Sequence, residues 1–262
     1  MIAETQLMSS FSQAYKNKIQ AVVLLVENSN LSLADKPYYE SICGRQMFEY
    51  VMGACSGFNT KIAVLNEGEN PISSAKQVLT DEEITLILFS DTPLLTVDVL
   101  NDYISKLLLD RGDVVIMPRG FVFKTKKLLQ TTKIDLPPKS LFDKSEFFTV
   151  SNLLDLENAT RHIQNQIINR HIQNGVFIAD RQLVKIDANV EIEKGVKILP
   201  FSQILGRSFI EKNSVISSSI IKNSKVEQNC FVENCNIENS KLFKGSKPKP
   251  FSVLRNEEYK EA

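Results

Sequence analysis

The segment Ala21-Val22-Val23-Leu24-Leu25-Val26-Glu27-Asn28-Ser29-Asn30-Leu31 runs from a wholly apolar stretch into a polar loop. A loop at the end of a buried strand is where nucleotide-binding proteins bring phosphate against backbone N–H groups. Glycines let the backbone approach, and a basic side chain neutralises charge. Here Asn28, Ser29 and Asn30 occupy the loop, no glycine is present, Glu27 adds a negative charge, and the first basic residue is Lys36. Asp91 follows a second strand-like run, ITLILF, and its serine. A carboxylate at the C-terminal end of a parallel strand can hold a divalent cation, or it can order the turn before Pro93.

The remaining reactive side chains offer less. His162 and His171 lie nine residues apart on a helical pattern, so they face opposite sides and cannot share a metal ion. Cys43, Cys55, Cys230 and Cys235 form no Cys-x-x-Cys pair and read as reduced thiols of a cytoplasmic protein. Lys+Arg and Asp+Glu both number 31, so the chain lacks the positive excess that binding to nucleic acid requires. No apolar run approaches the roughly 20 residues that span a bilayer, so no membrane partner is expected. The first residues lack the basic start and apolar core of a secretory signal.

Two rhythms organise the chain. Up to residue 154, apolar strand-like runs (QAVVLLV, KIAVL, ITLILF, DVVIMP) alternate with helical segments such as GRQMFEYVMGAC and VDVLNDYISKLLL. This predicts an α/β, Rossmann-like domain with a parallel sheet covered on both faces. Residues 155–175 read as a connecting helix that stops at Gly175. Over 176–248, apolar markers recur every six residues at Ile186, Ile192, Ile198, Ile204, Ile210 and Ile216. They then continue in steps of five and six through Ile221, Val226, Val232, Ile237 and Leu242. A six-residue period is neither helical nor a strand alternation; it predicts a parallel β-helix of hexapeptide repeats with the markers stacked inside. Residues 249–262 form a tail expected to leave the coil at its prolines.

Four stretches resemble the bifunctional N-acetylglucosamine-1-phosphate uridyltransferase / glucosamine-1-phosphate acetyltransferase family. They are GRQMFEYV (44–51), LILFSDTPLLT (86–96), FFTVSNLLDLENATRHIQNQIINRHIQNGV (147–176) and VKIDANVEIEKGVKILPFSQILG (184–206). The resemblance implies a Rossmann-like nucleotidyltransferase domain followed by a short left-handed parallel β-helix. It also implies a homotrimer assembled through that β-helix, a nucleotide or sugar-nucleotide ligand, and magnesium if the site is functional. It places Asp91 and Asn152 as magnesium ligands, and Asn28, Ser29, Asn30 and Ser74 at the nucleotide. It places Lys36 in the catalytic basic position and Gly120 in a shortened sugar site.

The resemblance also exposes departures. The family's phosphate loop, Leu-Ala-Ala-Gly-x-Gly-Thr-Arg-Met, has lost both glycines, to Val26 and Asn28, and its arginine to Asn30. Its Pro-Lys is reversed as Lys36-Pro37. Its uracil loop, Gly-Thr-Gly-His-Ala, corresponds to Pro71-Ile72-Ser73-Ser74-Ala75, again without glycine. Arg119 reads as an exposed arginine, with a phosphate partner as the alternative. No histidine follows His171, so acetyl transfer is not expected. The expected function is a relative with weak or lost uridylyl transfer that acts as a trimeric scaffold, regulator or ligand binder. The alternative is an active magnesium-dependent UTP:sugar-1-phosphate uridylyltransferase with a minimal site.

Overall fold

A computed structural model of the protein describes residues 18–27, 40–110, 112–135 and 145–260. The chain divides into two units: Met1–Ser41 with Gln46–Ala159, and Ile42–Arg45 with Thr160–Ala262.

The first unit is built on β1 (Ile19–Val26). A short pair, β2 (Ser41–Ile42) and β3 (Arg45–Gln46), whose residues Ile42–Arg45 belong to the second unit, precedes α1 (Met47–Ala54). β4 (Asn59–Leu65), α2 (Pro71–Lys76), β5 (Ile84–Phe89), α3 (Val97–Leu109), β6 (Val114–Met117), β7 (Gly120–Lys124) and α4 (Thr125–Gln130) follow. The sheet order is β4-β1-β5-β7-β6. β1 runs parallel to both β4 and β5. Alternate residues face opposite layers. Val23, Leu86 and Leu88 pack with Val51 of α1 and with Leu100 and Ile104 of α3. Val22, Leu24, Ile87 and Phe89 pack with Ile72 of α2 and Leu128 of α4. The predicted two-sided α/β layout is therefore present.

The sheet departs from the expected parallel arrangement at one edge. β7 is antiparallel to both β5 and β6. Only Pro118 and Arg119 separate β6 from β7, and so short a link allows a hairpin but no crossover. This hairpin places Arg119 at the C-terminal edge of β5.

In the second unit, α5 (Leu153–Gln173, which begins in the first unit) is followed by three parallel sheets that coil into a left-handed β-helix. One stacks Phe177–Ile178, Lys197–Ile198, Val215–Ser217 and Phe231–Glu233. Another stacks Lys185–Ile186, Gln203–Leu205, Ile220–Lys222, Asn236–Glu238 and Val253–Arg255. The third stacks Glu191–Ile192, Phe209–Ile210, Lys225–Val226, Lys241–Leu242 and Glu258–Tyr259. The marker residues form the interior columns, Ile186, Ile204, Ile221 and Ile237 among them, each fully buried. The chain stays in the coil past Pro248 and Pro250, since Leu254 pairs with Ile237. The prolines sit between strands, where no ladder N–H is required of them.

The change from six-residue to five-residue steps has a backbone cause. In the five-residue sides the left-handed corner residue (Ser218, Asn223, Asn234 or Asn239, φ between 47 and 51°) comes two positions after the marker, whereas in six-residue sides it comes three after, as at Asn213 and Asn229. Asparagine reaches that region at little cost, so short corners are written mostly with it. The corners also bury polar groups, and these pair between coils. Ser208 Oγ accepts from the Ser224 amide sixteen residues on, at 3.2 Å. Ser224 Oγ in turn accepts from the Ser240 amide at 3.0 Å. Buried N–H groups are thereby satisfied, coil by coil.

Candidate functional site

β5 delivers the chain to the turn Ser90-Asp91-Thr92-Pro93. The Ser90 amide donates to the Leu24 carbonyl at 2.9 Å, and Ser90 Oγ accepts from the Val26 amide at 3.0 Å. Thr92 Oγ1 donates to the Phe89 carbonyl at 2.9 Å. The Val150 amide donates to the Asp91 carbonyl at 2.8 Å. The ends of β1 and β5 are thus tied together, and the backbone of Asp91 is fixed.

The Asp91 carboxylate is buried and already paired. Arg119 donates from Nε to Oδ1 at 3.2 Å and from Nη2 to Oδ2 at 2.5 Å. Its guanidinium carbon lies 4.1 Å from the centre of the Phe89 ring. A planar guanidinium matches a carboxylate through two bonds at once and stacks on an aromatic face, so this is a strong charge-assisted contact. The Arg119 side chain is only 25% exposed. The expectation of an ordinary exposed arginine is corrected: Arg119 is the counter-ion of Asp91.

Asn152 has an equally local task. Its Oδ1 accepts from the Asp155 amide at 2.9 Å, and Asp155 Oδ2 accepts from the Ser151 amide at 3.0 Å. Asn152 thus caps the start of α5, and the Asp155 carboxylate ties down the amide of the residue before Asn152. Both residues expected at magnesium therefore have their oxygens engaged, one pair by a guanidinium and the other by a helix amide. A divalent cation at Asp91 would also meet the Arg119 charge. The residues present do not fit a resident magnesium ion. No group of three or more His, Cys, Asp or Glu that could hold a metal occurs among the described residues.

The nucleotide-side residues divide in two. Asn28, Ser29, Asn30 and Lys36 lie outside the described residues. Glu27, just before them, is exposed, and its amide donates to the Leu65 carbonyl at 3.4 Å. The expected uracil loop, Pro71–Ala75, is instead the body of α2. Asn70 caps it by accepting from the Ile72 amide at 2.9 Å, with Pro71 in the first turn. Ser74 is buried and donates weakly to Glu69 and to the Asn70 carbonyl. The Asn-Pro cap was a legible helix start. A capped helix presents no row of free amides in the place of a glycine loop.

Gly120 opens β7 at φ 145°, and a Cβ there would meet Met117 Cε at 2.7 Å and the Ile87 carbonyl oxygen at 2.8 Å. It lets the hairpin approach β5 closely. Gly120→Ala is expected to lower stability by about 3 kcal/mol, measured by urea denaturation. The same hairpin carries Arg119.

Of the histidines, His162 is exposed and its Nε2 lies 3.1 Å from Gln166 Nε2. His171 is buried, and neither ring nitrogen has a hydrogen-bond partner. Burial, with the nearby Arg170 charge adding to it, pushes its imidazole down to about 4. The unfolded chain therefore takes up a proton below about pH 6.5 that the folded chain refuses until about pH 4. Stability is expected to fall across that interval. Melting curves from pH 7 to pH 4.5 should show a shallower fall for His171→Leu than for the native protein. Arg45, Arg170, Arg207 and Glu191 line the same cleft as His171.

The four cysteines are free and buried. Burial pushes Cys43 up to about 11 and Cys55 up to about 12. Neither is a thiolate nucleophile at neutral pH.

Comparison with known proteins places the sequence. No protein-family model matches the chain. A bifunctional protein GlmU from Caldanaerobacter subterraneus subsp. tengcongensis is 23% identical over 237 residues, covering 66% of this chain and 52% of the relative. A second GlmU, from Pediococcus pentosaceus, is 40% identical over 76 residues, covering 29% of this chain and 16% of the relative. The chain thus spans about half the length of the first relative and less of the second. A solved 4-diphosphocytidyl-2C-methyl-D-erythritol synthase from Anaerococcus prevotii aligns with a TM-score of 0.41 and 12% identity. It covers 57% of this chain and 99% of that one. A five-stranded α/β sheet and a hexapeptide β-helix thus occur in one chain that is similar in sequence to two bifunctional GlmU proteins over part of their length.

Proposed function

We propose that this protein keeps the scaffold of a sugar-1-phosphate nucleotidyltransferase without its turnover. It serves as a homotrimeric scaffold or regulator related to UDP-N-acetylglucosamine pyrophosphorylases. One observation carries the reading: Arg119 grips both oxygens of Asp91. Nucleotidyl transfer joins two anions and needs mobile positive charge and amide donors at the phosphates. Here a protein guanidinium neutralises the carboxylate that would anchor a cation, and the second glycine loop is replaced by a helix.

The trimer is supported by apolar side chains on the outside of the coils. Ile220 and Val253 lie two strands apart on one sheet, and Phe177 and Phe231 share another. Val253 is 57% exposed and Phe177 is 56% exposed. Such residues gain by being covered in an oligomer. Sedimentation equilibrium tests this arm, and a monomer at micromolar concentration would overturn it. Pyrophosphate release from UTP, N-acetylglucosamine-1-phosphate and Mg²⁺ tests the other. The active alternative rests on Asp91 standing at the C-terminal end of a parallel strand, and turnover would favour it.

A further inference from the structure

The second unit contains a cleft of about 640 Å³ that the nucleotidyltransferase reading does not use. It is lined by residues from four separate segments. Arg45 comes from the start of β3, Arg170 and His171 from the last turn of α5, Asn189 and Glu191 from the first coil, and Arg207 from the next. We propose that this cleft binds a small phosphate-bearing anion through the three arginines and His171.

The turn that brings Arg45 is held firmly. The Ala188 amide donates to the Cys43 carbonyl at 2.9 Å, and Arg45 Nε donates to Asn189 Oδ1 at 2.6 Å. Gly44 sits at φ 75°, and a Cβ there would lie 2.5 Å from Asp187 Oδ2. The close approach that seats Arg45 thus depends on the glycine. Arg170 Nη2 makes one long bond, 3.4 Å to the Ala188 carbonyl. None of the three guanidinium groups forms an ion pair among the described residues, and the cleft's one carboxylate is Glu191. Three positive charges against one negative stand out in a chain whose net charge is zero. The C-terminal end of α5 contributes partial negative charge, which Arg170 in its last turn offsets.

His171 supplies the second observation. It is 4% exposed, it lines the cleft, and both ring nitrogens lack a partner. Buried polar atoms are normally satisfied, and the single N–H of the neutral ring inside a cationic cleft is answered by a bound acceptor. A phosphate dianion would take two-bond contacts from guanidinium groups and a donor from the imidazole. The cleft volume suits a small molecule. The site lies wholly in the second unit and stands whether or not the first unit turns over.

The test uses the full chain, native and as Arg207→Gln and Arg170→Gln, with circular dichroism to confirm folding. Inorganic phosphate and glycerol 3-phosphate are titrated separately at constant ionic strength, with chloride as control. Binding is read from the His171 imidazole resonances in protein carrying ¹⁵N-labelled histidine. Saturable shifts at His171 and not at His162 are expected, with affinity about tenfold weaker in each arginine variant. Tighter binding of glycerol 3-phosphate than of inorganic phosphate would identify a phosphomonoester as the ligand class, and the reverse order would identify free phosphate. No saturable shift, an equal response to chloride, or unchanged affinity in both arginine variants would overturn the proposal.

Discussion

Arg119→Ala is expected to cost about 3 kcal/mol of stability, because it strands the Asp91 carboxylate in a buried place without its counter-ion. The loss of stacking on Phe89 adds to it. Asp91→Asn in the same background should recover much of the loss, since a neutral amide is far cheaper to bury than a charge. Urea denaturation of the native protein and of the single and double variants measures the coupling. Additive effects of Asp91→Asn and Arg119→Ala would mean that the pair contributes nothing.

The second large effect belongs to the β-helix. Ile216→Ala is expected to destabilise the second unit by about 4 kcal/mol. Ile216 is fully buried, stacked between Ile198 and Val232 in an interior column. Truncation leaves a void between coils that rigid strands above and below cannot close. Val215, beside it in the strand and half-buried on the outer side, is the control: Val215→Ala should cost less than half as much. Both are read by denaturation at one fixed protein concentration, because assembly would make stability depend on concentration.

The β-helix was legible in the sequence for a plain reason. Every hexad solves the same packing problem, so the same residue types recur at Ile186, Ile192 and Ile198 whatever the loops do. Asparagines at several corners, Asn213, Asn223, Asn229, Asn234 and Asn239, mark where the chain turns. The α/β half was legible in its strands, since β1 and β5 are buried on both faces and read as continuous apolar runs. Its edge was not: the hairpin of β6 and β7 depends on a two-residue turn, and apolar strands look alike in either direction.

The site was half legible. Asp91 was visible from its place after β5, but its state depends on Arg119, twenty-eight residues away, which only the antiparallel pairing of β7 brings near. Ser74 lies in α2, whose start Asn70-Pro71 announces. The arginine cleft was invisible for a different reason. Arg45, Arg170 and Arg207 share no spacing, and each is an ordinary charged residue until the coil gathers them.

The central claim is that Asp91 is held by Arg119 and that the nucleotidyl site does not turn over. Pyrophosphate release from UTP and N-acetylglucosamine-1-phosphate with excess Mg²⁺ tests it most directly, comparing native protein with Asp91→Ala. Equal rates are expected for both, indistinguishable from buffer. A native rate well above buffer that vanishes in Asp91→Ala would contradict it.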